Sequence, residues 1–266
     1  MTETYEVFAV KYAENTALRS QLFLGGDDHD GDADMDFFVW ALRGRESGRV
    51  WVVDTGFADI DAAERGRRLV RSVGDALGTV GVTAAEVNDV IITHLHYDHV
   101  GGYEQFPQAR FHLQDAEMAY ATGRYMTHAP FAHAYTGRHI ADMVLNVFDQ
   151  RVVFHDGDAE LAPGLSVHLI GGHTRGLQVV RVHTDIGWMV LASDSTHYYE
   201  NMESVRPFSI VFDVGAMVEG YSRLRELADD DRFIVPGHDP LVFDRYPSAG
   251  DGLDGVAVRL DVVPTR

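Results

Sequence analysis

The sequence predicts a layered α/β protein, and three observations predict it. Short apolar, β-branched runs alternate with stretches of helical spacing along the whole chain. No internal repeat, low-complexity tract or Pro/Ser-rich linker divides the 266 residues, so a single domain over residues 1–266 is expected. The hydrophobic fraction, 45%, belongs to an ordinary folded protein and not to a disordered one.

In chain order, residues 6–11, 37–43 and 49–54 read as strands, the last two joined by a glycine-containing turn. Between the first two lies GGDDHDGDADMD, which packs Asp27, Asp28, Asp30, Asp32, Asp34 and Asp36 together. The spacing of a calcium loop is not met, so a solvated loop between strands is expected over residues 27–36. Residues 60–77 have helical spacing, and Thr83 to Glu86 is a capping-box pattern opening a short helix. Residues 90–92 form a compact β-branched strand. Further strands are expected near 110–113, 152–154, 166–170, 178–183, 188–192 and 233–235, with helices near 114–121, 138–147 and 215–228.

Composition removes several classes of chemistry. There is no cysteine, which excludes disulfide frameworks, thiolate zinc sites, iron–sulfur clusters and cysteine nucleophiles. No secretory signal and no membrane-crossing apolar run are readable, so a cytoplasmic location is expected. With 41 acidic against 22 basic residues the formal charge is −19, which disfavours nucleic acid and anionic membrane as partners.

The strongest signal is Thr93-His94-Leu95-His96-Tyr97-Asp98-His99-Val100-Gly101-Gly102, directly after the strand at 90–92. His94 and His96 are two apart, so in extended backbone both rings project to one side, and Asp98 continues the alternation. His99 breaks it and turns towards a second position. This pattern suits two adjacent metal ions better than one. Imidazole and carboxylate donors suit zinc first, with iron or manganese as alternatives. Further donors follow later strands: His173 in Gly171-Gly172-His173-Thr174, Asp194 in Ala192-Ser193-Asp194-Ser195, and His238 in Pro236-Gly237-His238-Asp239.

Taken in order, these motifs and the Asp54-Thr55-Gly56 segment resemble the metallo-β-lactamase-fold hydrolase superfamily over about residues 37–239. The resemblance implies a four-layer αββα sandwich with the active site at one edge of its two sheets. It assigns His94, His96 and His173 to a first metal, Asp98, His99 and His238 to a second, and Asp194 to a bridge between them. Asp54 would either orient a ligand histidine or cap the turn after its strand. Within the superfamily the chain is most similar to the N-acyl homoserine lactonase-type family. Only 28 residues follow His238, whereas glyoxalase-II-like thioesterases carry a helical region there. Flavodiiron oxidoreductases have a carboxylate where this chain has His96.

The implied reaction is the opening of a lactone, of the quorum-signal type or another small cyclic ester. Two ions a few ångströms apart bring the pKa of a shared water towards roughly 7, and the resulting bridging hydroxide attacks the carbonyl. Asp98 can relay a proton to the leaving group. Alternatives are hydrolysis of a cyclic amide or thioester, or a pseudoenzyme that binds metal without turnover. The partner expected is a small-molecule acyl substrate, and a homodimer follows from the resemblance alone.

One departure concerns the position three after the bridging aspartate. The lactonase type has a tyrosine there that hydrogen-bonds the substrate carbonyl; this chain has His197, followed by Tyr198 and Tyr199. His197 can donate to the carbonyl, or Tyr198 or Tyr199 can swing in; equally, His197 can be structural. The aromatic stretch from Tyr120 to Tyr135 either lines the pocket, with Met126, Phe131 and Tyr135 as walls and His128 and His133 as polar tips, or is a surface helix. Arg206 meets either a substrate carboxylate or a surface carboxylate. His112, His155, His168 and His183 are read as structural or solvent-facing.

Overall fold

A computed structural model describes residues 2–27 and 29–265. Asp28, one of the six aspartates of the acidic segment, lies outside the described residues. Two sheets form the centre. The first runs in the order β13 (Ala257–Arg259), β1 (Tyr5–Leu18), β2 (Asp32–Gly44), β3 (Val50–Val53), β5 (Asp89–Ile91), β6 (Arg110–Gln114) and β7 (Val152–His155), with the two-residue β4 (Arg68–Leu69) on β1. The second runs β12 (Ile234–Pro236), β11 (Gly187–Ser193), β10 (Gln178–Thr184), β9 (Leu165–Leu169) and β8 (Ala159–Ala162). Pairing is parallel from β3 through β7 and between β11 and β12, and antiparallel elsewhere.

Side-chain alternation along the strands builds the layers. Val7 and Ala9 on β1 and Val180 and Val182 on β10 face into one core between the sheets, with Trp40, Trp51, Ile91 and Leu191. Val10, Val39, Val52 and Val90 point the other way, onto Val73, Leu77, Ile140 and Met143 from the helices. Val179, Val190 and Ala192 cover the outer face of the second sheet beneath Met217, Tyr221 and Leu224 of the helix Val214–Leu227. Helices, sheet, sheet and helix thus make four layers, as expected. Among the described residues no helix is long and apolar enough to cross a membrane.

Three local expectations are corrected. The helix expected over 60–77 is two helices, Asp59–Arg65 and Val73–Gly78, with β4 between them. Gly66 ends the first in the left-handed region (φ 63°), and the chain then pairs with β1 before Ser72 caps the second. Thr83 makes no side-chain cap, and residues 84–86 form only a 3₁₀ turn. The acidic segment is not all loop: Asp32 to Asp36 belong to β2, paired back onto β1 as far as Leu18. There Asp36 is buried and its carboxylate lies 2.7 Å from the Lys11 ammonium.

Candidate metal centre and active site

Each donor singled out in the sequence sits just beyond the end of a strand, on one edge of the two sheets. His94 to His99 follow β5, His173 follows β9, Asp194 follows β11 and His238 follows β12. His94, His96, His173 and Asp194 bring donor atoms within 4.8 Å of one another, and Asp98, His99 and His238 do likewise. Asp194 lies between the groups: its Oδ2 is 3.2 Å from His173 Nε2 and 3.4 Å from His99 Nε2, and its Oδ1 is 3.1 Å from His238 Nε2.

The approach of β12 to β11 depends on Gly237. A Cβ built there would lie 2.6 Å from Asp194 Oδ1, so a side chain would displace the carboxylate. Ser193, directly before Asp194, holds φ at 44°, a left-handed conformation that a non-glycine residue adopts only when its surroundings enforce it.

Contacts behind the rings fix which nitrogen faces the centre. His173 Nδ1 donates to the Ile210 carbonyl at 2.7 Å, and His238 Nδ1 donates to the Asp36 carbonyl at 3.0 Å. His99 Nδ1 donates to Asp54 Oδ2 at 2.7 Å. Asp54 in turn accepts from the Thr93 amide (2.7 Å) and the Thr93 hydroxyl (2.9 Å), so it orients a histidine and also clamps the start of the motif. In all three histidines Nε2 is left pointing at the cluster.

Burial pushes the His94 and His96 imidazoles well below their ordinary range, which keeps both neutral. At His99 burial acts the same way, but the carboxylates of Asp194, Asp54 and Asp98 outweigh it and raise the ring. Burial alone would raise the Asp194 carboxyl, yet the imidazoles of His197, His99 and His238 hold it well below the usual carboxylate range. His94 Nε2, His99 Nε2 and Asp194 Oδ1 are buried with no hydrogen bond among the described residues. Leaving such atoms unpaired is unfavourable, and divalent cations are the partners that a nitrogen and oxygen donor set of this kind fits.

A cavity of about 290 Å³ opens over the cluster, lined by Asp98, Asp194, His197 and His238 together with apolar groups including Phe37 and Phe208. His197 is buried, stacks on Phe208 at 3.5 Å, and places Nε2 3.0 Å from Asp194 Oδ2. Burial pushes its imidazole down to about 3, against the opposing pull of the Asp194 carboxylate. Tyr198 is not at the site. Its hydroxyl donates to the Asp34 carbonyl at 3.1 Å, and its ring packs on Phe23 in a neighbouring groove. Tyr199 is held by the Arg245 guanidinium, 3.7 Å from its ring centre.

The aromatic stretch divides between both expectations. His133 lines the cavity and Tyr135 packs edge-on against His96 at 4.6 Å. His128 is exposed, Phe131 packs on Phe212, and Met126 lines a separate apolar cavity. Arg206 pairs with Asp30 at 3.5 Å. His112 pairs with Asp89 and His168 with Asp158, as structural residues do.

Sequence reading missed Glu117. Its carboxylate is fully buried and accepts four hydrogen bonds: from the Leu95 amide (3.0 Å), the Tyr135 hydroxyl (2.9 Å), the Thr174 hydroxyl (2.6 Å) and the Gly176 amide (3.0 Å). One side chain thereby ties the loop carrying His94 and His96 to the loop carrying His173. Its signal in the sequence is a lone glutamate in a helix that otherwise reads as amphipathic, too weak to single out.

Residues 38–238 match the model of the metallo-beta-lactamase superfamily. An N-acyl homoserine lactonase of Bacillus cereus is 28% identical over 165 residues, covering 61% of this chain and 60% of that protein. A probable metallo-hydrolase of Mycobacterium tuberculosis is 24% identical over 237 residues, 75% of this chain and 73% of that one. Among solved structures, a quorum-quenching N-acyl homoserine lactone lactonase superposes with a TM-score of 0.73 at 22% identity, over 90% of this chain and 93% of that one. AidC, a dizinc quorum-quenching lactonase solved with a product, superposes at 0.70 and 18% identity, over 90% and 89% of the two chains. The matched span contains every donor of the cluster, and the chain belongs to the metallo-beta-lactamase superfamily.

Proposed function

We propose that this protein is a metal-dependent hydrolase that opens the ring of a small lactone at a two-ion centre. The observation that carries this reading is Asp194, which stands between two groups of buried donors. His94, His96 and His173 would hold one ion, Asp98, His99 and His238 the other, and Asp194 would serve both. Such ions, zinc first and iron or manganese next, activate water at neutral pH and polarise an ester carbonyl.

The chain's own residues do the rest. Asp54 and the Ile210 and Asp36 carbonyls keep the Nδ1 protons of His99, His173 and His238 in place, so that each Nε2 lone pair faces the cluster. Asp98 lines the cavity, where it can pass a proton to the departing alkoxide oxygen of the opened ring. His197 Nε2 lies 3.0 Å from Asp194 Oδ2, where it can steady the shared carboxylate, a positioning role in place of the carbonyl contact that the family tyrosine suggests. The Phe208 ring stacked on it keeps water from that side.

The missing tyrosine hydroxyl also favours a second reading, cleavage of another acyl bond such as a cyclic amide or thioester. A pH-stat screen of the metal-loaded protein against lactones, thioesters and cyclic amides decides between them. Acid release from lactones at a rate tracking metal content supports ring opening. Full activity after exhaustive chelation would sink the metal mechanism. Metal binding with no turnover of any class would leave the pseudoenzyme.

A further inference from the structure

The break in the expected helix has a consequence at the cavity. After Gly66 turns the chain, the Arg67 amide donates to the Ala62 carbonyl at 2.9 Å, and the side chain joins the cavity wall. Its Nε donates to the Tyr97 hydroxyl at 3.0 Å, and the guanidinium lies 6.0 Å from the centre of the Phe37 ring. Tyr97 sits inside the metal-ligand motif, between His96 and Asp98. Arg67 is therefore tied to the motif by one nitrogen, while Nη1 and Nη2 have no hydrogen-bond or ion-pair partner among the described residues. Among the described residues it is also the one lysine or arginine lining this cavity.

Several other arginines of the chain are neutralised by carboxylates. Arg49 and Arg110 pair with Asp89, Arg19 with Glu200, and Arg206 with Asp30. What sets Arg67 apart is that its unpaired guanidinium lines the cavity over the cluster, together with Phe37, Met35 and Leu22. The two carboxylates that share the cavity, Asp98 and Asp194, are both committed to the metal centre in the reading above.

We infer that Arg67 is a specificity-determining residue, and that the substrate is a lactone carrying a free carboxylate, held by the Arg67 Nη1 and Nη2 while its ring lies at the His and Asp cluster. Two free N–H groups along one edge of a planar guanidinium match one carboxylate in a paired fork. A cavity of about 290 Å³ admits a small molecule and not a polyanion. The inference rests on the ring-opening reading for its reaction, though not for its binding.

The test compares a γ-lactone bearing a carboxylate with the same lactone as its primary amide, on metal-loaded wild type, Arg67→Gln and Arg67→Lys. In wild type kcat/KM should favour the carboxylate at least about tenfold, a discrimination of about 1.4 kcal/mol. In Arg67→Gln the ratio should fall to about one, with the loss in KM and not in kcat. Arg67→Lys, which keeps the charge without the fork, should hold part of it. A wild-type ratio near one, or an undiminished ratio in Arg67→Gln, overturns the inference. If no lactone is opened at all, the ring-opening reading fails, and calorimetry with glutarate and butyrate still decides the role of Arg67. Glutarate, which carries a second carboxylate for Arg67, should bind wild type at least about tenfold more tightly than butyrate. That advantage should vanish in Arg67→Gln; equal affinities in wild type overturn the inference.

Discussion

The two ends of strand β5 carry the same residue types and use them in opposite ways. At its start, Asp89 is buried and surrounded: Arg49 lies 2.6 Å away, Arg110 2.7 Å and His112 3.1 Å. His112 also meets His155 across 3.1 Å, and the two rings stack. Against the effect of burial, the hydrogen bonds from His112 and Arg49 hold the Asp89 carboxyl below its usual range. Just past the far end of the strand, His94, His99 and Asp194 converge with ring nitrogens and a carboxylate oxygen left unpartnered. A buried charge balanced by arginines is structural, whereas converging donors without a protein cation make a place for an ion. The carboxyl ends of neighbouring parallel strands are where open α/β sheets gather such loops.

The sharpest way to break this contrast is to remove one aspartate from each end. Asp194→Ala should lower the metal content below about two ions per chain and reduce kcat on the order of a thousandfold, about 4 kcal/mol of barrier. Metal analysis beside initial rates checks it, and an Asp194→Ala protein with full metal and full rate would refute the assignment. Metal removal by chelation should lower thermal stability, by about 4 kcal/mol for each ion that had been present at a thousand times its dissociation constant. The decrement should be the same in Asp89→Asn, because the two clusters share no partner.

Glu117→Ala joins the two loops of the metal end to stability. It leaves two backbone amides and two hydroxyls without their acceptor, so a loss of about 3 kcal/mol in denaturant unfolding is expected. A 10- to 100-fold weaker metal affinity should accompany it, as for other groups that orient ligands. Metal affinity intact in a folded Glu117→Ala protein would reduce the residue to packing.

Asp89→Asn should cost about 2 kcal/mol, a modest figure because Arg49 and Arg110 are 44% and 54% exposed and water screens their charge. The folded carboxyl sits below its ordinary 3.8, so its contribution is present at neutral pH and lost as the pH falls below about 3.8 towards the lowered value. The stability difference between wild type and Asp89→Asn should therefore shrink in acid, a comparison that urea titrations at pH 7 and pH 3 make directly. Smallest of all, Gly66→Ala should cost about 1 kcal/mol from its left-handed backbone alone, since nothing lies within 4 Å of the added carbon.

Local pattern made the metal donors legible: histidines and aspartates following short β-branched strands can be read off one stretch at a time. The layers were legible for the same reason, because alternation in β1 and β10 assigns each side chain to one face of a sheet. The helix over 60–77 was misread because its spacing carries on past Gly66, and only the pairing of β4 with β1 takes those residues out of the helix. Tyr198 was a plausible stand-in for a tyrosine by proximity in sequence alone; in the fold its hydroxyl belongs to Asp34.

By itself, then, the sequence determined the family, the layered class and which histidines and aspartates cluster, since each depends on residues close together in the chain. Tertiary structure decided what stands behind those residues and what lines the cavity over them: Asp36 behind His238, Ile210 behind His173, Glu117 between two loops, and Arg67 in the cavity wall. Two of these contacts are made by backbone carbonyls, which every residue has. The other two depend on segments that meet only when the sheets pack, and a linear pattern carries no trace of that meeting.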